Sequence, residues 1–364
     1  MVIAIPDENA GTASVAERRA WRRRMSIPVL VALLAAAIVA SATIGATDVS
    51  FNGAFKAVGQ ALGWETGATL RDRVVLFDIR LPRTVMGIMV GAGLAMAGAM
   101  MQGLFRNPLA DPALIGISAG AALAAVSVIV LIAGAGLALP AWLVPHLLPV
   151  SAFFGSLVVT TALYSVATRA GRTSVATMLL AGIAFAALAM ALTGLIVFHS
   201  DDTQLRDFTF WNMGSLGGAT WTRVAGIAPF VLMTVLALPF IGNGLNALLL
   251  GEAEAFHMGY SPERLKRWIV VLAAAATGAA VAGAGVIGFV GIVVPHILRQ
   301  VLGADNRLLL PASALLGAAL LIFADILSRL LVAPAELPIG IITAVIGAPV
   351  FISILLRRRS VIDI

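Results

Sequence analysis

Apolar runs of about twenty residues, joined by short polar links, leave this chain little choice of fold. Roughly 20 apolar residues in a helix cross the hydrocarbon of a bilayer, and a helix satisfies its own backbone hydrogen bonds there. Ten such spans are predicted, over 27–46, 84–104, 114–136, 150–168, 175–198, 223–241, 268–287, 289–303, 308–329 and 338–356. The pair around Gly288 shares one apolar stretch, which holds two passes only if one of them is short. Composition agrees. Of 364 residues, 60% are hydrophobic and 12% charged, too little polar surface for a soluble two-domain enzyme and too apolar for disorder. The expected class is an all-α polytopic membrane protein.

The first span follows a head that carries Arg18, Arg19, Arg22, Arg23 and Arg24. It is longer than a signal-peptide core and starts further in, so it reads as a retained helix. With the N-terminus inside, sixteen Lys and Arg fall on the cytoplasmic side and eight outside, which supports an N-in, C-in topology. The net charge of +6 therefore belongs to a membrane topology, and no nucleic-acid partner is expected. Three segments follow: a basic N-terminal segment over 1–26, a transmembrane domain over 27–357 and a cytoplasmic tail over 358–364. Residues 47–83 form an extramembrane link expected to contain a short amphipathic helix.

Small residues fill the spans, and in lipid they let helices approach closely. Gly87-x-x-x-Gly91 and Gly116-x-x-x-Gly120 are examples. A weak repeat pairs Ala95-Met-Ala-Gly98-Ala…Gly103 with Ala280-Val-Ala-Gly283-Ala…Gly288, and Arg80-Leu-Pro-Arg83 with Arg264-Leu-Lys-Arg267. The copies run in opposite directions through the predicted topology, as inverted repeats do.

Little in the chain points to covalent chemistry. The only lysines are Lys56 and Lys266; neither follows a glycine, so the phosphate-binding G-x-x-x-x-G-K-[ST] loop is absent. There is no cysteine. An ion-coupled carrier needs acids within the membrane. Here Asp325 stands out, four residues before Arg329 and so on the same helix face, where the two can pair. His146, His199, His257 and His296 form no H-E-x-x-H pattern, although an imidazole is chemically able to hold haem iron transiently. The longest internal connection on the cytoplasmic side, 243–267, mixes apolar and acidic residues around a Gly259-Tyr260-Ser261-Pro262 turn. It is expected to form two short helices along that face, as a docking surface or against lipid headgroups. A secondary carrier and an intramembrane enzyme remain the rival classes.

Several longer motifs resemble one family. They are Arg80-Leu-Pro-Arg83, the run from Gly91 to Gln102-Gly103, and Arg106-Asn-Pro-Leu-Ala-Asp-Pro112 with Gly116-Ile-Ser-Ala-Gly120. The second half adds Gly251-Glu252, Gly288-Phe-Val-Gly-Ile-Val-Val-Pro-His296, Ala324-Asp325, Glu336-Leu-Pro-Ile-Gly340 and Gly347-Ala-Pro-Val-Phe351. Together, over about residues 27–357, they resemble the FecCD family, permease subunits of bacterial ABC importers for iron–siderophores, haem and cobalamin.

The resemblance implies a type II ABC importer permease in the bacterial plasma (inner) membrane, with ten helices per subunit. It implies a homodimer with the pathway at its interface, two ATP-hydrolysing subunits inside and a periplasmic substrate-binding protein outside. Arg80, Arg83 and Arg329 match positions that dock the binding protein; Gly251, Glu252, Ala255 and Gly259 fall in the region that matches the ATPase coupling loop. No cofactor is held permanently, ATP being consumed by the partner subunit. Gln204 to Trp221 resembles the corresponding segment of haem permeases, with Phe208, Phe210, Trp211 and Trp221 as flat apolar faces at the outer mouth. Haem is the expected cargo, with ferric siderophore and cobalamin as alternatives.

Overall fold

The computed structural model describes residues 8–45, 51–64, 67–132, 140 and 142–362. Helices dominate. They are α1 (Glu8–Thr43), α2 (Phe51–Ala61), α3 (Leu70–Val74), α4 (Leu81–Leu104), α5 (Ile117–Val126), α6 (Val144–Ala167) and α7 (Val175–Phe198). They continue as α8 (Asp202–Asn212), α9 (Trp221–Leu250), α10 (Glu252–His257), α11 (Pro262–Ala284), α12 (Val290–Leu302), α13 (Asn306–Leu330) and α14 (Ile339–Ile362). Among the described residues seven helices are long and apolar enough to cross a membrane, and three shorter apolar ones, at 117–131, 290–302 and 339–353, complete the predicted set.

The differences from expectation lie at the ends. The link over 47–83 does contain a short helix, α2, but from Leu70 onward it is already helical. There α3, a π-helical turn at Val75–Arg80 and α4 run on as one rod from Leu70 to Leu104. At 1.5 Å per residue 35 residues span about 52 Å, so the charged first turns stand clear of the hydrocarbon. Likewise α1 carries the basic head, and α14 carries the tail through Ile362, because arginine is a good helix former. Residues 1–7, 46, 133–136 and 363–364, which belong to the predicted head, first span, third span and tail, lie outside the described residues.

The stretch around Gly288 does hold two helices. Gly285, in the left-handed region at φ 72°, ends α11, and Phe289 at φ 68° starts the short α12. Non-helical backbone at membrane depth survives only where protein surrounds it. Here Ser215 donates to the Ala284 carbonyl, while Ile339 and Gly340 donate to the carbonyls of Gly214 and Met213, so three irregular segments satisfy each other. The repeat follows this asymmetry. The tetrapeptide at 264–267 lies in the first turns of α11, whereas that at 80–83 lies within the rod where the π-helical turn gives way to α4. The first apolar copy is wholly inside α4 while the second runs off the end of α11.

α4, α11 and α13 form the centre, with 83%, 83% and 67% of their most apolar stretches buried, against 11% for α7. Glycine makes that packing possible. Gly91 meets Gly317 of α13, Gly120 meets Gly155 of α6, and a Cβ on Gly98 would collide with the backbone of Gly291. Gly116 serves differently: at φ 76° it turns the chain into α5. Gly98→Ala is therefore expected to destabilise the protein by about 1–3 kcal/mol, because backbone cannot yield as a side chain does. Gly226→Ala, whose Cβ meets nothing within 4 Å, should be neutral or slightly stabilising. Thermal unfolding of the two variants in detergent compares them directly.

Candidate functional site

At the outer end of the bundle, polar groups of α1, α4 and α13 converge below the Leu330–Ile339 turn. Arg83, one helical turn beyond Arg80, grips Asp325 of α13 with Nε at 2.9 and 3.1 Å from its two oxygens and Nη2 at 2.8 Å. Its Nη1 lies 2.7 Å from Glu336. Arg329 reaches the same Asp325 at 3.1 Å, the pairing that their i, i+4 spacing predicts, and donates to the Ile44 carbonyl. Arg80 donates to the Ala42 carbonyl at 2.6 Å, and Ser41 bonds Thr84 at 2.8 Å. One carboxylate thus holds two guanidiniums.

Burial decides what this cluster offers a partner. Arg80, Arg83 and Arg329 are only 3%, 7% and 6% exposed, whereas the Glu336 side chain is 41% exposed. The structure brings the three predicted docking arginines together, but in this conformation their guanidiniums face inward. Sequence reasoning missed Glu336 as their partner. It lies far along the chain in the turn before α14, and its only signal was a place in the Glu336-Leu-Pro-Ile-Gly340 motif.

A second cluster forms at the cytoplasmic end. The predicted pair of short helices over 243–267 reduces to one, α10, because α9 runs on to Leu250 and the remainder is the first turn of α11. α10 lies between Gly251 at φ 138° and Gly259 at φ 86°, both backbone states that L side chains rarely adopt. Ala255 is its one buried residue, at 0% exposure. Glu252 pairs with Lys266 of α11 at 2.8 Å.

Lys266 is the hub. At 3% exposure it also meets Glu263 at 3.0 Å and donates to the Thr173 carbonyl at 3.1 Å. Thr173 returns its N–H to Glu263 at 2.9 Å. It ends a two-stranded hairpin, Thr168–Arg169 with Arg172–Thr173, that joins α6 to α7 through Ala170 and Gly171, both at positive φ. A cavity of 320 Å³ lined by Arg106, Glu252 and Lys266 lies beside this hub. In the sequence Lys266 stands out only as one of two lysines, neither in a phosphate-binding loop; its place three residues after Glu263 was the available sign of the hub. Nearby, Asp305 caps α13 and accepts from Asn246 of α9 at 2.7 Å. The Arg307 guanidinium, with Asn246, holds the Asp305 carboxyl down to about 2, so this tie is ionised throughout the physiological range.

The four outer aromatics are held in different ways. Phe208 stacks on Trp211 with ring centroids 6.5 Å apart, both on α8, whose start is fixed by an Asp201–Gln204 capping box. Phe210 is 57% exposed, and Trp221 donates from its indole to the Phe77 carbonyl at 2.9 Å. His296 is buried on α12 with Nε2 2.8 Å from Gln300. Among the described residues no three His, Cys, Asp or Glu side chains group as a metal site.

Comparison with known proteins covers almost the whole chain. The sequence profile of the FecCD transport family matches residues 33–357. The hemin transport system permease protein HmuU of Yersinia pestis is 42% identical over 337 residues, 93% of this chain and 97% of its own length. The cobalamin import system permease protein BtuC of Halobacterium salinarum is 42% identical over 304 residues, 84% of this chain and 79% of its own. Among solved structures, an inward-facing metal-chelate type ABC transporter superposes with a TM-score of 0.78 at 30% identity, covering 92% of this chain and 99% of that one.

Proposed function

The chain belongs to the FecCD transport family, a multi-pass ABC importer permease of the plasma (inner) membrane, and on that premise we propose that it carries haem inward as half of a homodimer. The observation that carries the choice of cargo is the length of the match to the hemin permease, 97% of that protein against 79% of the Halobacterium salinarum cobalamin permease. The Phe208–Trp211 stack supports it with flat apolar rings suited to a porphyrin. Cobalamin is the second reading, since its permease is equally identical where aligned. A ferric siderophore is the third.

In this reading two separate ATPase subunits supply the energy from the cytoplasm. Their movement enters through α10, with Gly251 and Gly259 as hinges, Glu252 as tether and Ala255 as the anchor in the bundle. A periplasmic binding protein delivers cargo at the Arg80, Arg83 and Arg329 cluster. Its acids take over the place of half-exposed Glu336, which gives buried Arg83 a route to a partner. Cargo moves along the dimer interface by alternating access, no covalent bond is made or broken, and no resident cofactor is required.

Uptake into proteoliposomes tests the proposal, with permease and ATPase reconstituted and loaded binding protein outside. ATP-dependent accumulation of haem, and of neither cobalamin nor ferric siderophore, is the expected result. Accumulation of cobalamin or siderophore alone would overturn the cargo while keeping the class. Uptake indifferent to internal ATP would overturn the energy source as well.

A further inference from the structure

On the outer flank of the bundle the first turns of α6 and α9 and the last turn of α11 enclose a groove of 210 Å³. Its walls are apolar, chiefly Phe153, Phe154, Ile227 and Phe230. From Arg223 to Phe230 is seven residues, about 10 Å along α9, so the groove reaches well into the outer leaflet. Phe153 and Phe230, with ring centroids 4.4 Å apart, meet at its deep end. Phe154 is 57% and Val150 48% exposed, and they leave the side toward the lipid open. Midway, Gly226 presents bare backbone: a Cβ there would meet nothing within 4 Å.

Two cationic or ionisable groups stand at the rim, Arg223 and His146. Among the described residues neither side chain has a hydrogen-bond or ion-pair partner. This contrasts with Arg83 and Arg329, which are fully engaged. In the predicted topology both rim residues lie at the level of the outer headgroups, where an anion would complete them. An apolar slot open to hydrocarbon below an unpaired guanidinium has the polarity of a phospholipid, acyl chain inward and phosphate outward.

We propose that this groove binds an anionic phospholipid of the outer leaflet, one acyl chain lying over Gly226 against Phe153 and Phe230, its phosphate on Arg223 beside His146. The bound lipid fills what would otherwise be a void between α6, α9 and α11 and so braces the flank of the bundle. The site does not depend on which cargo the permease carries.

Native mass spectrometry of the full chain in detergent tests this, with added dioleoyl phosphatidylglycerol or the phosphatidylcholine of the same chains. The wild type is expected to retain one phosphatidylglycerol in preference to phosphatidylcholine. Gly226→Leu, which puts a side chain into the groove, should lose the retained lipid while unfolding at an equal or higher temperature. Gly226→Ala, too small to fill the slot, should keep it. Arg223→Gln should keep a lipid but lose about fivefold in preference for the anionic headgroup. Undiminished phosphatidylglycerol on Gly226→Leu would overturn the proposal. So would a change of oligomeric state in that variant with lipid retention unaltered, which would assign the groove to a second copy of the chain. Should Gly226→Leu fail to fold, an unchanged headgroup preference in Arg223→Gln would overturn the proposal alone.

Discussion

Asp325→Asn is expected to destabilise the protein by about 3–5 kcal/mol, the usual result of removing one partner from a buried ion pair. Asp325 is 2% exposed and is the carboxylate on which both Arg83 and Arg329 close. Without it, buried Arg83 keeps only Glu336, itself partly in solvent, and buried Arg329 keeps only the neutral Ile44 carbonyl and Ser41 hydroxyl as acceptors at the end of α1. Glu336→Gln removes a carboxylate that water already screens, so its cost should stay within about 1 kcal/mol. The double variant Asp325→Asn with Arg329→Met should recover part of the loss, because it removes a stranded charge as well. Thermal unfolding of the purified protein reads all three. An Asp325→Asn protein as stable as the wild type would mean that the network does not hold α4 to α13. A stable variant that had lost ion-driven uptake would instead revive a secondary carrier. Charge reversal at Arg83 is for the same reason a poor test of docking, since it breaks the fold and the contact together.

Lys266→Met should lower uptake about tenfold, equivalent to about 1.4 kcal/mol, while the ATPase subunit remains bound. α10 is the proposed coupling element. Lys266 ties Glu252 of α10 to Glu263 of α11 and to the Thr173 carbonyl between α6 and α7. Its loss leaves Glu252 and Glu263 without the cation they share and lets α10 swing on Gly251 and Gly259. The measurement is cargo moved per ATP hydrolysed. A purely structural role would lower protein yield but not this ratio. Lys266→Arg should restore much of it, and Glu252→Gln should lower it in the same direction. A wild-type ratio in Lys266→Met would show that displacement of α10 does not pass through this hub.

The spans were legible because bilayer thickness imposes a length and a polarity on every crossing, whatever the helix packs against. For the same reason the Asp325–Arg329 pair could be read from spacing, and the Ser261-Pro262 start of α11 from local turn chemistry. Helix ends were less legible. Arg71, Asp72 and Arg73 look like loop residues, yet they continue the α4 rod, since charge marks the limit of the hydrocarbon and not the limit of the helix. Over 243–267 the turn chemistry points to two short helices, but 243–250 is the end of α9, which local pattern does not distinguish from a separate element.

What the sequence determined by itself is a set of ten apolar helices, their orientation, and a family signature strong enough to name the class of transporter. Tertiary structure alone decided which charges meet. Arg83 finds Asp325 across 242 residues and Glu336 across 253, and Lys266 finds Thr173 across 93. No local pattern encodes those distances. Pairing of buried charges depends on which helices the small residues allow to touch, and Gly91 against Gly317 or Gly98 against Gly291 fixes that only once the bundle has closed.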